Sequence, residues 1–263
     1  MDCICLITAP RTGTNHLSEV LRNFSELAPF GEVFDLDGVQ GVDAADWPVL
    51  RHETGIDFSA LNDPRLVAFA HEKPGAWLDA LEKAAAARGK RFMSFKLVRG
   101  NMSFDDIEQQ IMPRRGLRLV MVVRKQIDAY VSWRKAIELG KWQGVDTTGM
   151  RLTLDPDKFE QWLDAQERWF DHWRNYLNRH FLPLPVVRYE IDIDIPTERA
   201  LRRFISAAGI VGIALRPPAT ITHHGFERQD KAKLAADKVS NWAEFNREIF
   251  SRKLERRAFG YPI

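Results

Sequence analysis

Cysteine is scarce in this sequence: two residues among 263, Cys3 and Cys5. On an extended segment they point to the same face, too close together for a relaxed disulfide. A lone pair also falls short of the four ligands of a structural zinc site. Both therefore read as small buried hydrophobes. An excess of either charge is missing too. The chain has 38 Lys+Arg against 36 Asp+Glu, a net charge of +2, which argues against a general nucleic-acid binder with a basic surface. Any anion site must then be local and built on purpose. No apolar run approaches the roughly 20 residues of a membrane helix. The opening MDCICLITAP has neither a basic leader nor a small-residue cleavage site, so the expectation is a cytoplasmic protein without a signal peptide. There are no internal repeats and no low-complexity segments. What the chain does carry is 45% hydrophobic residues, with 16 Phe and 8 Trp, enough for a full core.

Four apolar, β-branched runs read as strands: residues 3–8, 92–97, 118–123 and 185–190. None alternates cleanly, which is the pattern of strands covered on both faces in a parallel sheet. Residues 66–71 are a weaker fifth candidate. Helical spacing appears in 14–24, 75–88, 125–139, 156–180, 197–208 and 229–256. Phe159, Trp162, Trp169 and Trp173 form one stripe of the fourth, read as core-facing rather than as a ligand box. Strands alternating with helices predict an α/β fold with a mostly parallel central sheet flanked by helices in three layers. Two stretches near 35–65 and 140–156 lack periodicity and read as insertions, substrate loops or lids, within a single domain spanning 1–263.

The strongest local signal is ITAPRTGTNHL, residues 7–17. A hydrophobic strand runs through a short turn into an amphipathic helix, which places the turn at the carboxyl end of a strand. The helix start offers unpaired N–H groups and a positive dipole end. Gly13 lets the backbone curl closely, Thr12 and Thr14 add hydroxyls, Asn15 lies in the first turn, and Arg11 adds a permanent charge. Residues 11–15 thus read as a seat for a phosphate- or sulfate-sized group, against the plainer alternative of a strand–turn–helix capped by Thr14 or Asn15. The nucleotide-triphosphate loop ends Gly-Lys-Ser/Thr, whereas Thr14 follows Gly13 here. Strand 118–123 ends in Arg124 rather than in a magnesium-holding Asp. Arg124 and Ser132, eight residues on, make a second anion clamp; Lys125, Arg134 and Lys135 read as a solvated helix face.

These residues resemble those of the sulfotransferases that use 3′-phosphoadenosine 5′-phosphosulfate (PAPS). APRTGTNHL is similar to the family's 5′-phosphosulfate loop, and VVRKQIDAYVSWRKA to its 3′-phosphate motif. Phe30-Gly31-Glu32-Val33-Phe34, Phe95-Lys96-Leu97 and the late Arg228-Gln229 resemble segments of the bacterial trehalose 2-sulfotransferase-like branch. The departures are His16, where that helix often has Trp or another apolar residue, and Val33, where Pro is usual; both bear on the acceptor more than on the donor. The resemblance implies a P-loop-like fold, PAPS as co-substrate with no metal, and transfer of a sulfuryl group to a hydroxyl of a carbohydrate, glycolipid or other small acceptor. It implies that Arg11, Thr12, Gly13, Thr14 and Asn15 hold the 5′ end, and that Arg124 and Ser132 hold the 3′-phosphate, with Arg228 reaching the nucleotide. Glu32 is the first candidate for the base that takes the acceptor proton and His16 the second; His71, His223 and His224 are weaker. Lys96, at a strand end, is a candidate to touch the transferring sulfuryl group or an acceptor oxygen, against the plainer role of a strand-end salt-bridge partner. A dimer is suggested by the resemblance alone. Two alternatives stay open: a Mg²⁺-dependent kinase on a related fold, and a non-catalytic nucleotide-binding scaffold.

Overall fold

Alternate residues of the first strand, β1 (Asp2–Thr8), enter different cores: Cys3, Cys5 and Ile7 join one cluster, Ile4 and Leu6 another. A strand buried on both faces must carry helices on both faces. The computed structural model describes residues 1–263. After β1 come α1 (Thr14–Leu21), β2 (Leu27–Pro29), α2 (Trp47–Thr54), α3 (Pro64–Glu72), α4 (Pro74–Ala87), β3 (Phe92–Val98) and α5 (Phe104–Asp106). Then follow β4 (Leu117–Val123), α6 (Gln126–Leu139), α7 (Pro156–Arg179), β5 (Val186–Arg188), α8 (Thr197–Ile210), α9 (Ala235–Lys238), α10 (Trp242–Ser251) and α11 (Glu255–Phe259).

The five strands form one all-parallel sheet in the order β2-β3-β1-β4-β5. α1 and α8 cover one face through Leu17, Val20, Leu21, Leu201 and Phe204. α4 and the second half of α7 cover the other through Trp77, Leu81, Trp169 and Trp173. The architecture is the three-layer α/β fold that the alternating pattern predicts. The connection leaving β1 runs toward β2 on one side, and the one leaving β4 runs toward β5 on the other. Those loops diverge, and a crevice opens between the carboxyl ends of β1 and β4.

Several local expectations are corrected. Residues 66–71 are not a strand. They lie in α3, where the Asp63 side chain accepts from the Arg65 N–H and Pro64 opens the first turn, a helix start that outweighs the apolar run. β2 was missed because it is three residues long and ends in Pro29, a residue suited to an edge strand. The strand expected at 185–190 stops at Arg188, and Tyr189–Ile193 coil into a π-turn. The helix expected at 229–256 is broken into α9, α10 and α11. Leu152 N–H donates to the Lys238 carbonyl, and the Asn241 side chain bonds both Leu154 backbone groups. Pairing with the 140–156 insertion thus diverts this backbone from a continuous helix. The 35–65 stretch is no free lid: Val39, Val42, Leu50 and Phe58 are buried in the α4-side core. Both cysteines are free and buried, as expected. No helix is long and apolar enough to cross a membrane.

Candidate active-site cleft

A cleft of about 1020 Å³ opens at the carboxyl ends of β1, β3 and β4, at the upper end of small-molecule sites. The β1–α1 turn forms its floor. Arg11 and Gly13 both have left-handed backbones, at φ 68° and 85°. For a non-glycine residue such as Arg11 this costs on the order of 1–2 kcal/mol, and such strain clusters at binding sites. Gly13 is required twice over, since a Cβ there would meet Cδ2 of Tyr189 at 2.3 Å. No protein acceptor takes the N–H groups of Thr14, Asn15 or His16 at the start of α1. Thr12 departs from expectation. Its hydroxyl donates to the Ala9 carbonyl at 3.0 Å and bonds the Thr8 hydroxyl. It closes the turn from inside, leaving only its backbone for a ligand.

Arg11 is the centre of the cleft. Its Nε donates to Ser132 Oγ at 2.9 Å, and its terminal nitrogens donate to the Trp142 carbonyl and Gln229 Oε1. All three acceptors are neutral, so no carboxylate compensates the charge. Burial, and then the charge of Arg124, lower its pKa to about 10, which keeps it cationic at neutral pH. Arg124 leaves the end of β4, donates to the Arg11 carbonyl at 3.0 Å and lies over the Tyr189 ring at 4.3 Å. Its Nε is buried without a hydrogen-bond partner; Glu190 stands 4.0 Å away. Ser132 accepts its hydrogen bond from Arg11 rather than from Arg124, and all three residues line the same cleft. Tyr189 packs against Gly13 and lies under Arg124; the apolar run 185–190 predicts a strand through it, which hides it from the sequence.

On the β3 side, the β2–β3 ladder runs on past Pro29. Phe30 N–H donates to the Ser94 carbonyl at 2.8 Å, and Lys96 N–H to that of Gly31 at 3.1 Å. This register brings Glu32 into range of Lys96. Val33 is buried, and its carbonyl accepts from the Trp77 indole at 3.0 Å, which pins the turn. Lys96 is buried and its ammonium donates to Asn15 Oδ1. Burial holds it down at about 8, against the opposing pull of Glu32. Burial raises the Glu32 carboxyl above its ordinary value; Lys96 opposes this and Asp35 adds to it. His16 also lines the cleft, but its Nδ1 lies 2.9 Å from the Phe226 carbonyl and 3.1 Å from the Phe226 N–H, and Gly225 packs on its ring. Arg228 pairs with Asp194 at the margin. His71, His223 and His224 do not line the cleft.

The reading of Lys135 as a solvated charge is overturned: it is 2% exposed. Asp128, Ser132 and Lys135 follow each other at four and three residues along α6 and share the face that lines the cleft. No group of three or more His, Cys, Asp or Glu side chains is placed to hold a metal ion.

No protein-family model matches the sequence, and no curated protein matches it. Among solved structures the chain is similar to the sulfotransferase domain from the curacin biosynthetic pathway, at 12% identity and a TM-score of 0.45 over 93% of this chain and 86% of that one. It is also similar to the sulfotransferase domain from the Synechococcus PCC 7002 olefin synthase, at 12% identity and a TM-score of 0.44 over 95% and 94%.

Proposed function

We propose that this chain is a sulfotransferase working as one domain, which moves a sulfuryl group from PAPS to a hydroxyl of a carbohydrate, glycolipid or other small acceptor. The observation that carries this reading is the pair Arg11 and Arg124: two adjacent part-buried cations in one cleft, the first without any carboxylate partner. Like charges held together away from water call for an anionic ligand. The unpaired amides of α1, the Gly13 turn and the orphaned Arg124 Nε fit such a group.

The bound donor supplies the activated sulfuryl group. Arg11 and the backbone of residues 12–15 grip its 5′ end and stabilise charge on the leaving oxygen. Arg124 holds the 3′-phosphate, Ser132 couples the two sites through Arg11, and Arg228 frames the nucleotide. Across the cleft Glu32 accepts the proton of the acceptor hydroxyl. Lys96 presents its charge to the transferring oxygens, with Asn15 fixing its ammonium. His16 serves as a tie to the 225–226 backbone, and Glu32 is the base. Catalysis by positioning and charge needs no metal bridge. A kinase would want a carboxylate where β4 ends in Arg124.

The test is thermal denaturation with 3′-phosphoadenosine 5′-phosphate (PAP), with PAPS and with ATP plus Mg²⁺. PAP and PAPS stabilise the wild type, and Arg11→Ala and Arg124→Ala lose the effect. Stabilisation by ATP–Mg²⁺ with none by PAP would overturn the proposal in favour of phosphoryl transfer, no response to any nucleotide would remove the donor site altogether, and stabilisation by PAPS without transfer to any acceptor would favour a nucleotide-binding scaffold.

A further inference from the structure

A lysine that is 2% exposed must be compensated where it lies, because an unpaired buried ammonium is costly. Lys135 Nζ donates to Asp230 Oδ2 at 2.7 Å and to the Thr147 carbonyl at 3.0 Å. Those acceptors belong to two separate segments: the 140–156 insertion and the run between Phe226 and Lys233. The same two segments are joined directly. The Thr147 N–H and hydroxyl donate to the Gln229 carbonyl at 2.6 and 3.0 Å, and the Lys231 N–H to Thr148 Oγ1 at 3.1 Å. Both segments then converge on one side chain, since Arg11 donates to the Trp142 carbonyl and to Gln229 Oε1. Neither segment is helical or part of the sheet there, so these bonds hold what regular structure does not.

We propose that Lys135 is a positioning residue: it locks residues 141–149 and 226–233 into one strap, and the strap fixes the Arg11 guanidinium in the cleft. The affinity part of this inference rests on the donor site proposed above; the strap itself does not. Lys135 acts through Gln229 and the Trp142 carbonyl rather than by touching the ligand. Asp128 and Lys238, paired at 3.8 Å along the same wall, stay outside this path.

Hydrogen exchange and PAP titration on the full chain test it. In Lys135→Met, the amides of Thr147 and Lys231 exchange at least tenfold faster together. The amides of Leu152 and Ser240, which pair at the far end of the insertion, keep their wild-type rates. The PAP dissociation constant rises at least tenfold, and Lys135→Arg, which keeps charge and donors, recovers most of the affinity. In a Gln229→Ala background Lys135→Met adds less than it does alone, because one of the two links to Arg11 is already cut. Asp230→Asn gives the same loss of protection and serves if Lys135→Met does not fold. Unchanged exchange at Thr147 and Lys231 in both variants overturns the strap. Unchanged PAP affinity with lost protection overturns the coupling to Arg11. If the wild type does not bind PAP, the donor reading falls and the exchange result alone decides the strap.

Discussion

Lys96 and Glu32 show how far one corner of a cleft departs from solution chemistry. Burial favours the neutral form of each: Lys96 is held at about 8 and Glu32 is raised. Below about 8 the lysine is charged in both the folded and the unfolded chain, and the fold bears the full desolvation cost. Between about 8 and its ordinary 10.5, the native state releases a proton that the unfolded chain still holds, so stability rises with pH. The shift corresponds to about 3 kcal/mol. Lys96→Met therefore lacks this rise: wild type minus variant, the unfolding free energy from urea midpoints grows by about that amount from pH 7 to 10.5. Glu32 works as a base only when ionised, so transfer falls on the acid side of its raised pKa. Because Asp35 contributes to that rise, Asp35→Asn moves the acid limb of the rate profile to lower pH. Glu32→Gln keeps stabilisation by PAP and loses transfer by 10²–10⁴-fold, the range expected for general-base catalysis. A variant that transfers at the wild-type rate would remove Glu32 from the mechanism.

Among the elements, the β1–α1 turn is the most exacting. It combines two left-handed residues with a glycine packed against the Tyr189 ring. Gly13→Ala must place a Cβ both at an unfavourable φ and against that ring. The backbone alone costs about 1–2 kcal/mol, and the contact adds to it. The expected outcome is a lower urea midpoint and weakened PAP binding, as the ring is pushed from under Arg124. An unchanged urea midpoint would overturn both the backbone strain at Gly13 and its packing on Tyr189. α7 makes the opposite case. Its aromatic stripe serves packing: Phe159 and Trp162 enter the core shared with α6 and α10, while Trp169 and Trp173 enter the α4-side core. One helical periodicity thus joins two cores, with Gln166 buried between them.

For the whole molecule, the near-zero net charge is repeated in the cleft, which nine basic and nine acidic residues line. Net charge therefore does not draw an anion in; pairing does. Lys135, Lys238 and Arg228 have carboxylate partners within 4.0 Å, and Arg11 has none. A ligand that binds only the folded state at 100 times its dissociation constant stabilises by about 2.7 kcal/mol. In a chain of this size that raises Tm by roughly 5–10 °C. PAP is expected to do so for the wild type, and for neither Arg11→Ala nor Arg124→Ala.

The sequence by itself determined the α/β class, the central strands and the two strand-end turns. Continuous apolar runs, helical spacing and a Pro-Arg-Thr-Gly-Thr turn are local patterns, and local physics suffices to read them. It also marked Arg11, Arg124, Glu32 and Lys96 as residues of interest. Only the tertiary structure decided their company. The ladder of β2 on β3 set Glu32 near Lys96, through a three-residue edge strand too short to register. Ser132 accepts from Arg11, the Tyr189 ring lies under Arg124 on a π-turn where a strand is expected, and Lys135 is buried in the wall of the cleft rather than solvated. Each of these pairings joins segments far apart in the chain, 121 residues in the case of Arg11 and Ser132. No periodicity along the sequence encodes which acceptor a buried cation will find.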